Sequence, residues 1–141
     1  MPYQPSPWLA TGISALALIV SSLNYFRDRA WLKATCKFVQ PPDENPYVYV
    51  RIVNKGRRPI ILRMWGGSDG TEWSGSFFGN EKEGLRLAEH EMHEFTIDRE
   101  GLYNPTPEAD IVYSDLWLED TLGRRHKIKG AKGNVARLRA S

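Results

Sequence analysis

The apolar positions of this chain change their spacing near Lys33. Before it, the run from Trp8 to Phe26 contains nineteen residues and no charged side chain. As an α-helix rising about 1.5 Å per residue, this run is roughly 28 Å long, close to the hydrocarbon thickness of a bilayer. Aromatic residues suited to the membrane interfaces lie at its two ends, and they are Trp8, Tyr25, Phe26 and Trp31. The pattern predicts a membrane-spanning helix over residues 8–26.

Two other interpretations of this run are a cleaved signal peptide and a buried core helix. A signal peptide begins with a basic region and ends at a small-residue cleavage site of the A-x-A type. The first seven residues, MPYQPSP, contain no basic side chain, and the stretch SSLNYFRDR offers no such site. An uncharged core helix of this length is rare in so small a soluble domain. The pattern therefore favours an uncleaved anchor.

The charges that flank the run predict its direction across the membrane. Arg27, Arg29 and Lys33 follow the run, whereas no basic side chain precedes it. By the positive-inside rule, residues 1–7 form a short extracytoplasmic leader, residues 27–33 form a basic juxtamembrane linker, and the rest of the chain is cytoplasmic. The single cysteine fits a reducing compartment. We therefore predict a single-pass protein of the inner (cytoplasmic) membrane.

Small and hydroxyl side chains recur along one side of the predicted span. Their spacing places them within about 80° of one another on a helical wheel. In lipid, such a seam lets two helices approach closely, and an asparagine can hydrogen-bond across the contact. Membrane helices are also rich in small residues for other reasons. Self-association into a homo-oligomer is one hypothesis for this seam, which consists of Ala10, Ser14, Ala17, Ser21 and Asn24.

After Lys33, apolar residues alternate with polar ones at the period of a β-strand. Two runs, ATCKFV and YVYVRIV, place on one face of their strands Ala34, Cys36, Phe38, Val48, Val50 and Ile52. Further strands are predicted in IILRMW, TEWSGSFFG (at a sheet edge), HEFTI, DIVYSDLWLED and RRHKI, and the turn positions between strands include Asn54, Gly56, Pro59 and Gly123. Six or seven short strands without a second helix predict a mainly β fold. We expect an immunoglobulin-like antiparallel β-sandwich over residues 34–129, with an open β-barrel as the alternative.

Two short turn motifs carry a resemblance. VNKGRRPIIL contains a turn of the form N-x-G-x-R-P, and LEDTLGRRHKI contains a hairpin of the form D-x-x-G-R. With the preceding span, this layout resembles a loose group of small membrane-anchored proteins of bacterial or prophage origin, largely uncharacterised, in which the two motifs bracket an immunoglobulin-like sandwich. The resemblance implies a layout and no activity. The residues that match are Asn54, Gly56, Arg58, Pro59, Asp120, Gly123 and Arg124.

The charges are unevenly distributed along the chain. Residues 66–120 contain fourteen acidic and three basic side chains, whereas residues 121–141 contain seven basic and no acidic ones. Residues 130–141 are expected to form a basic flexible tail, which is either solvated or bound to the acidic block or to an anionic leaflet. Nucleic acid is disfavoured as a partner because no aromatic residue lies among these cations. The side chains expected to touch the membrane surface are Arg27, Arg29, Lys33, Lys132, Arg137 and Arg139.

No motif for catalysis, metal or cofactor is found in the sequence. His90 and His93 are three residues apart, which on a strand points them to opposite faces and on a helical turn brings them together. The third histidine, His126, has no determined relation to them. The chain has no G-x-S-x-G motif, and the glycine-rich stretch GGSDGTEWSG has no P-loop lysine. Three tryptophans near predicted strands either pack in the core or form an exposed binding pair, and they are Trp65, Trp73 and Trp117.

These patterns favour a non-enzymatic, membrane-anchored binding or recruitment module that presents a cytoplasmic β-sandwich to a macromolecular partner. Sandwich domains without a catalytic constellation more often recognise than react, which is an argument from fold alone. We expect the acidic face or loops of the sandwich to engage a basic or polar partner, a protein rather than a nucleic acid. One alternative is a small-ligand sensor or effector whose transmembrane helix self-associates. Another is a structural protein of inverted topology, which the basic residues after the span disfavour.

Overall fold

A computed structural model describes residues 7–79, 83–105 and 110–141. It contains two α-helices and ten β-strands in the described part of the chain. In chain order they are α1 (Pro7–Arg27), β1 (Leu32–Val39), β2 (Tyr47–Asn54), β3 (Ile60–Ser68), β4 (Trp73–Phe77), β5 (Leu85–Leu87), β6 (Met92–Asp98), β7 (Tyr103–Pro105), β8 (Asp110–Val112), β9 (Asp115–Asp120), β10 (Arg125–Lys127) and α2 (Ala131–Ala140). The mainly β class predicted from the sequence is confirmed.

Helix α1 covers the predicted span and is long and apolar enough to cross a membrane. None of the stretch Pro7–Phe26 is buried against the rest of the protein. The hydroxyl groups of Thr11 and Ser14 donate to carbonyl oxygens one turn earlier, at 2.9 Å each. These polar groups are therefore satisfied within the helix, as an apolar surrounding requires.

The strands form two larger antiparallel sheets and one small hairpin. The three-stranded sheet has the order β1-β2-β6. The five-stranded sheet has the order β10-β9-β3-β4, with β5 also paired to β3. Within the described residues, strands β7 and β8 form a separate two-stranded sheet. The run 110–120, predicted as one strand, is two strands, because the chain bends at Ser114, whose backbone and hydroxyl groups both donate to the carbonyl of Ser68.

The two sheets share one apolar core. Its members come from the alternating positions that the sequence pattern selects on β1 and β2, and from the facing positions of β3, β6 and β9. Cys36 is one of these core residues, and burial raises the pKa of its thiol. It is therefore a buried apolar side chain rather than a reactive thiol.

Helix α2 corrects two expectations from the sequence. Residues 131–140 form a helix instead of the predicted flexible tail, so the fold does contain a second helix. Ala131, Val135 and Leu138 are buried in the core, at the i, i+4, i+7 spacing of one helical face. Residues 121–141 contain seven basic side chains, and this high positive charge makes the apolar stripe hard to recognise in the sequence.

A side chain on α2 fastens the helix to the edge of β1. The amide oxygen of Asn134 accepts from the backbone N–H of Phe38 at 3.0 Å, and its amide nitrogen donates to the carbonyl of Cys36 at 3.1 Å. Just before the helix, Lys129 pairs with β1 through Thr35 in a short parallel bridge. The free edge of β1 is thereby covered, which removes a site for non-specific strand pairing.

Leu138→Ala is expected to lower the free energy of unfolding by about 2–5 kcal/mol, because it leaves a cavity under α2. Arg139→Ala, an exposed neighbour on the same helix, is the control and is expected to change stability by less than about 0.5 kcal/mol. Urea unfolding of the full chain in detergent micelles, followed by tryptophan fluorescence, measures both. Equal midpoints for the two variants would show that α2 does not pack on the core.

The turn between β2 and β3 is organised by the side chain of Asn54. Its amide nitrogen donates to the carbonyls of Arg58 at 2.8 Å and Leu87 at 3.1 Å, and its amide oxygen accepts from the N–H of Gly56 at 3.0 Å. The residue is completely buried. The turn that the sequence predicts is therefore present, and Asn54 is its polar centre.

Gly56 is required in this turn by close packing rather than by a positive φ angle. A Cβ atom there would overlap the carbonyl oxygen of Arg29 and lie 2.6 Å from the backbone nitrogen of Trp31. Next to it, the N–H of Lys55 donates to the carbonyl of Trp31 at 2.6 Å. The turn thus holds residues 28–31, the segment that leaves α1 and is called the exit segment below. Residues 27–33, predicted as a linker, are in fact partly fixed in this way, and β1 already begins at Leu32.

Gly56→Ala is expected to destabilise the protein by about 1–3 kcal/mol, because backbone atoms must move to admit the methyl group. Gly133→Ala is the matched control: nothing lies within 4 Å of its Cβ position, and alanine favours the helix by about 0.5–1 kcal/mol. Thermal unfolding of the full chain in micelles compares them. A Gly56→Ala midpoint equal to that of the parent would contradict the packing described for this turn.

Candidate functional site

The basic residues that the sequence assigns to one membrane surface lie at two ends of the β domain. Strand β1 follows the exit segment, so Lys33 lies at the end near α1, called the anchor end. Strand β1 then runs for eight residues, about 25 Å, to the far end. The C-terminus of α2 lies at the far end, where Ser141 lines a depression together with Asn45, Pro46 and Asp98.

The α2 residues therefore lie at the opposite end of the β domain from Lys33, and their contact with a membrane stays a prediction. Arg137 and Arg139 lie in the last turn of α2, and Lys132 lies 4.0 Å from Asp115, the first residue of β9, at the far end of its sheet. Arg29 stays near the anchor end, with its guanidinium 5.5 Å from the ring centre of Tyr25. The side chain of Arg27 lies outside the described part of the structure.

The seam residues predicted to promote self-association all lie on α1 with exposed side chains. The hydroxyl proton of Ser14 is already donated to the carbonyl of Ala10. The small side chains of Ala10, Ala17 and Ser21 would let a second helix approach the backbone of α1 closely on that side. Self-association through this seam stays a prediction.

The outer face of the three-stranded sheet is strongly basic. Lys33, Thr35 and Lys37 alternate along β1 with the buried residues, and pair across to Val53, Arg51 and Tyr49 of β2. The bridge at Thr35 adds Lys129 beside this face, and Lys55 extends it at the anchor end. A groove of about 570 Å³ runs over this surface. We call this surface the basic face, and define it by Lys33, Lys37, Arg51, Lys55 and Lys129.

Most cations of the basic face have no acidic partner. Arg51 is 3.4 Å from the carboxylate of Glu94. In the part of the chain that the structure describes, the other four cations, all lysines, have no carboxylate within 4.0 Å. Glu94 also forms a hydrogen bond that raises the pKa of Tyr49. The face therefore has a net positive charge, with long side chains free to reach an anionic group.

The outer face of the five-stranded sheet is packed by its own side chains. The guanidinium of Arg125 lies 4.4 Å from the ring centre of Trp73 and 4.3 Å from that of Trp117. Glu119 accepts from Arg125 and from Arg63. Trp117 is buried over Gly66, where a Cβ would lie 2.7 Å from its ring, and its indole N–H has no partner within the described residues.

The three tryptophans considered in the sequence therefore have different environments. Trp65 packs against the core, with its ring centre 5.6 Å from that of Phe95. Trp117 is buried on the outer face, and Trp73 is 51% exposed. The exposed tryptophan pair that the sequence leaves open is not formed by these residues. The candidate surface for binding a partner is therefore the basic face, and not the acidic face or loops expected from the sequence.

The histidines are separated in the structure. His90 lies in an exposed turn with φ of 59°, and His93 packs on β6 with its ring centre 5.8 Å from that of Phe78. His126 bonds to Asp120 at 3.0 Å. Within the described residues, no group of three His, Cys, Asp or Glu side chains is arranged to hold a metal ion.

Asp120 organises the turn between β9 and β10. Its carboxylate accepts from the N–H groups of Leu122 and Arg124 at 2.9 and 3.0 Å, and from the side chains of Arg124 and His126 at 3.0 Å each. Burial alone would raise the pKa of Asp120, but these hydrogen bonds outweigh it and leave the pKa below its ordinary value. Gly123 has the positive φ of 74° that the tight turn requires.

Comparison of the chain with protein-family models, with curated proteins and with solved structures finds no match. The functional conclusion therefore rests on the basic face, on α1 and on the segments that join them.

Asp120→Asn is expected to lower stability at neutral pH by about 1–3 kcal/mol, since it weakens several charge-assisted hydrogen bonds. Because the folded-state pKa is lowered, the stability from the ionised carboxylate is complete above about pH 4 and is lost as the pH falls through the folded-state value. The difference between parent and variant should therefore shrink below about pH 4. Glu44→Gln, in an exposed loop, is the control for lost charge. A difference independent of pH would rule out the role given to this carboxylate.

Proposed function

We propose that the protein is a single-span membrane-anchored binding module that recruits an acidic protein through its basic face. The observation that supports this best is a set of four lysines without carboxylate partners in the described residues: two lie on β1, and two lie in segments beside the same sheet. Four residues join β1 to α1. The anchor would restrict this cationic surface to the membrane plane and raise its local concentration there. The chemistry required is recognition, with no bond made or broken.

The charges near the end of α1 support a cytoplasmic β domain in the inner membrane. To the basic residues that immediately follow the span, the fold adds Lys55 and Arg58 at the anchor end. Positive charge close to a span favours the cytoplasmic side. The two antiparallel sheets that share one core are compatible with an immunoglobulin-like sandwich, with α2 as an additional element.

An acidic protein segment fits the basic face better than a nucleic acid does. Lys33 and Lys37 are four residues apart on β1, about 13 Å, so an extended segment with acidic residues at this spacing can reach both. Glu94 lies on the same face beside Arg51 and would repel a continuous phosphate backbone.

The test uses the full chain in nanodiscs of neutral phosphatidylcholine and a fluorescent peptide with glutamate at every second position. Charge reversal of Lys33 and Lys37 to glutamate is expected to weaken peptide binding by roughly tenfold or more, equivalent to about 1.4 kcal/mol, measured by fluorescence anisotropy. Binding by the parent should also weaken as salt rises.

The matched control reverses Arg137 and Arg139, which changes the net charge equally at the far end of the domain. It should leave binding within about twofold of the parent, since both residues lie in the last turn of α2 and neither belongs to the basic face. Equal loss in both variants would mean that net charge alone acts, and that the basic face is not the site. A single-stranded oligonucleotide that binds more tightly than the peptide would replace the acidic protein as the partner.

A further inference from the structure

Three segments meet at the anchor end of the β domain. The exit segment packs on the 54–59 turn through Gly56. The turn between β9 and β10, residues 120–124, lies at the same end, because Asp120 pairs with Leu62 and the N–H of Thr121 donates to the carbonyl of Ile61 at 3.0 Å. We call this last segment the hairpin tip. The chain order alone does not place it near α1.

The anchor end must stay close to the end of α1. Only the exit segment separates Arg27, the last residue of α1, from Leu32, the first residue of β1. Even fully extended, this connection spans at most roughly 18 Å. The exit segment is also tied down, since the N–H of Asp28 donates to the carbonyl of Asn24 at 2.8 Å and the 54–59 turn covers it from the other side.

Large apolar side chains project from this end into solvent. Leu122, at the hairpin tip, is 74% exposed, and Trp31, in the exit segment, is 70% exposed. The tip cannot fold back to hide Leu122, because Asp120 and Gly123 fix its backbone. An exposed leucine on a rigid turn and an exposed tryptophan beside a membrane span are the side chains that a lipid interface accommodates.

Cations accompany these apolar residues. Arg58 has no carboxylate within 4.0 Å in the described part of the chain, and Arg124 is 60% exposed although its Nε bonds to Asp120 at 3.0 Å. Arg57 is shared between Asp28 at 3.8 Å and Glu89 at 3.9 Å, so it adds little free charge.

We propose that the anchor end is a second membrane contact, in which Leu122 and Trp31 enter the lipid interface next to α1 while Arg58 and Arg124 meet lipid phosphates. This inference rests on the proposed function, because it requires α1 to span the bilayer. The contact fixes the tilt of the β domain and holds β1 pointing away from the bilayer. The basic face is then presented to the side, open to a partner that approaches along the membrane.

The test places a nitroxide at Thr121, an exposed neighbour of Leu122, in the full chain with Cys36→Ala as background. The protein is reconstituted in vesicles of phosphatidylcholine with one quarter phosphatidylglycerol, and collisions of the nitroxide with oxygen and with a water-soluble nickel complex are compared. Oxygen should dominate at Thr121→Cys in the parent. Adding Leu122→Asp should reverse the ratio, whereas adding Leu122→Met should preserve it.

Two reference positions separate failure of this contact from failure of the anchor. A nitroxide at Ile13→Cys, in the middle of α1, should lie deep in lipid, and one at Glu44→Cys, in a loop at the far end, should remain in water. If position 13 is deep but position 121 is in water, the second contact is wrong and the anchor stands. If position 13 is itself in water, α1 does not span the bilayer, and both the anchor and the contact are overturned.

Discussion

One buried amide, the side chain of Asn54, sets the geometry on which the rest of the molecule depends. A completely buried amide left without partners would cost about 1–3 kcal/mol, and here two backbone groups of the turn and the carbonyl of Leu87 on β5 are its partners. Few arrangements of the 54–59 turn satisfy all three bonds. The turn that does so also brings Gly56 against the backbone of Arg29 and Trp31. The connection between helix and sheets is therefore defined by hydrogen bonds and close backbone packing rather than by a flexible linker.

With both inner faces used for the shared core, the two outer faces are free to differ. On the outer face of the five-stranded sheet, the guanidinium of Arg125 lies over the rings of Trp73 and Trp117, which contact each other edge to face. The outer face of the three-stranded sheet carries cations whose charges are mostly unpaired within the described residues. Because only the four-residue exit segment separates β1 from α1, this cationic face lies close to the end of the helix. In the proposed function, the strand that follows the anchor thus carries two cations of the basic face, Lys33 and Lys37, and the fold brings the others beside them.

Much of the secondary structure follows from the local pattern of residues. Where the prediction from sequence fails, the cause is a contact between segments that are distant in the chain. The alternation in β1 and β2 predicts their buried residues correctly because a strand's period assigns its two faces without reference to other segments. The strand predicted over residues 110–120 is divided at Ser114, since the backbone there bonds to Ser68 of a strand more than forty residues away. The sequence does not predict helix α2, because a ten-residue helix rich in arginine and lysine is marginal by itself. It is stabilised because Val135 and Leu138 pack in the core and Asn134 hydrogen-bonds to the edge of β1.

By itself, the sequence determined the apolar helix, the faces of the first strands and the residues of the two tight turns. Each of these features depends on residues within a few positions of one another, so the local segment contains all the interactions that determine it. Only the tertiary structure decided that Lys33, Lys37, Arg51 and Lys129 form one surface, that Arg137 and Arg139 lie at the opposite end, and that Leu122 lies near the end of α1. Those relations arise from strand pairing between distant segments, whose register is set by the whole core rather than by any local pattern.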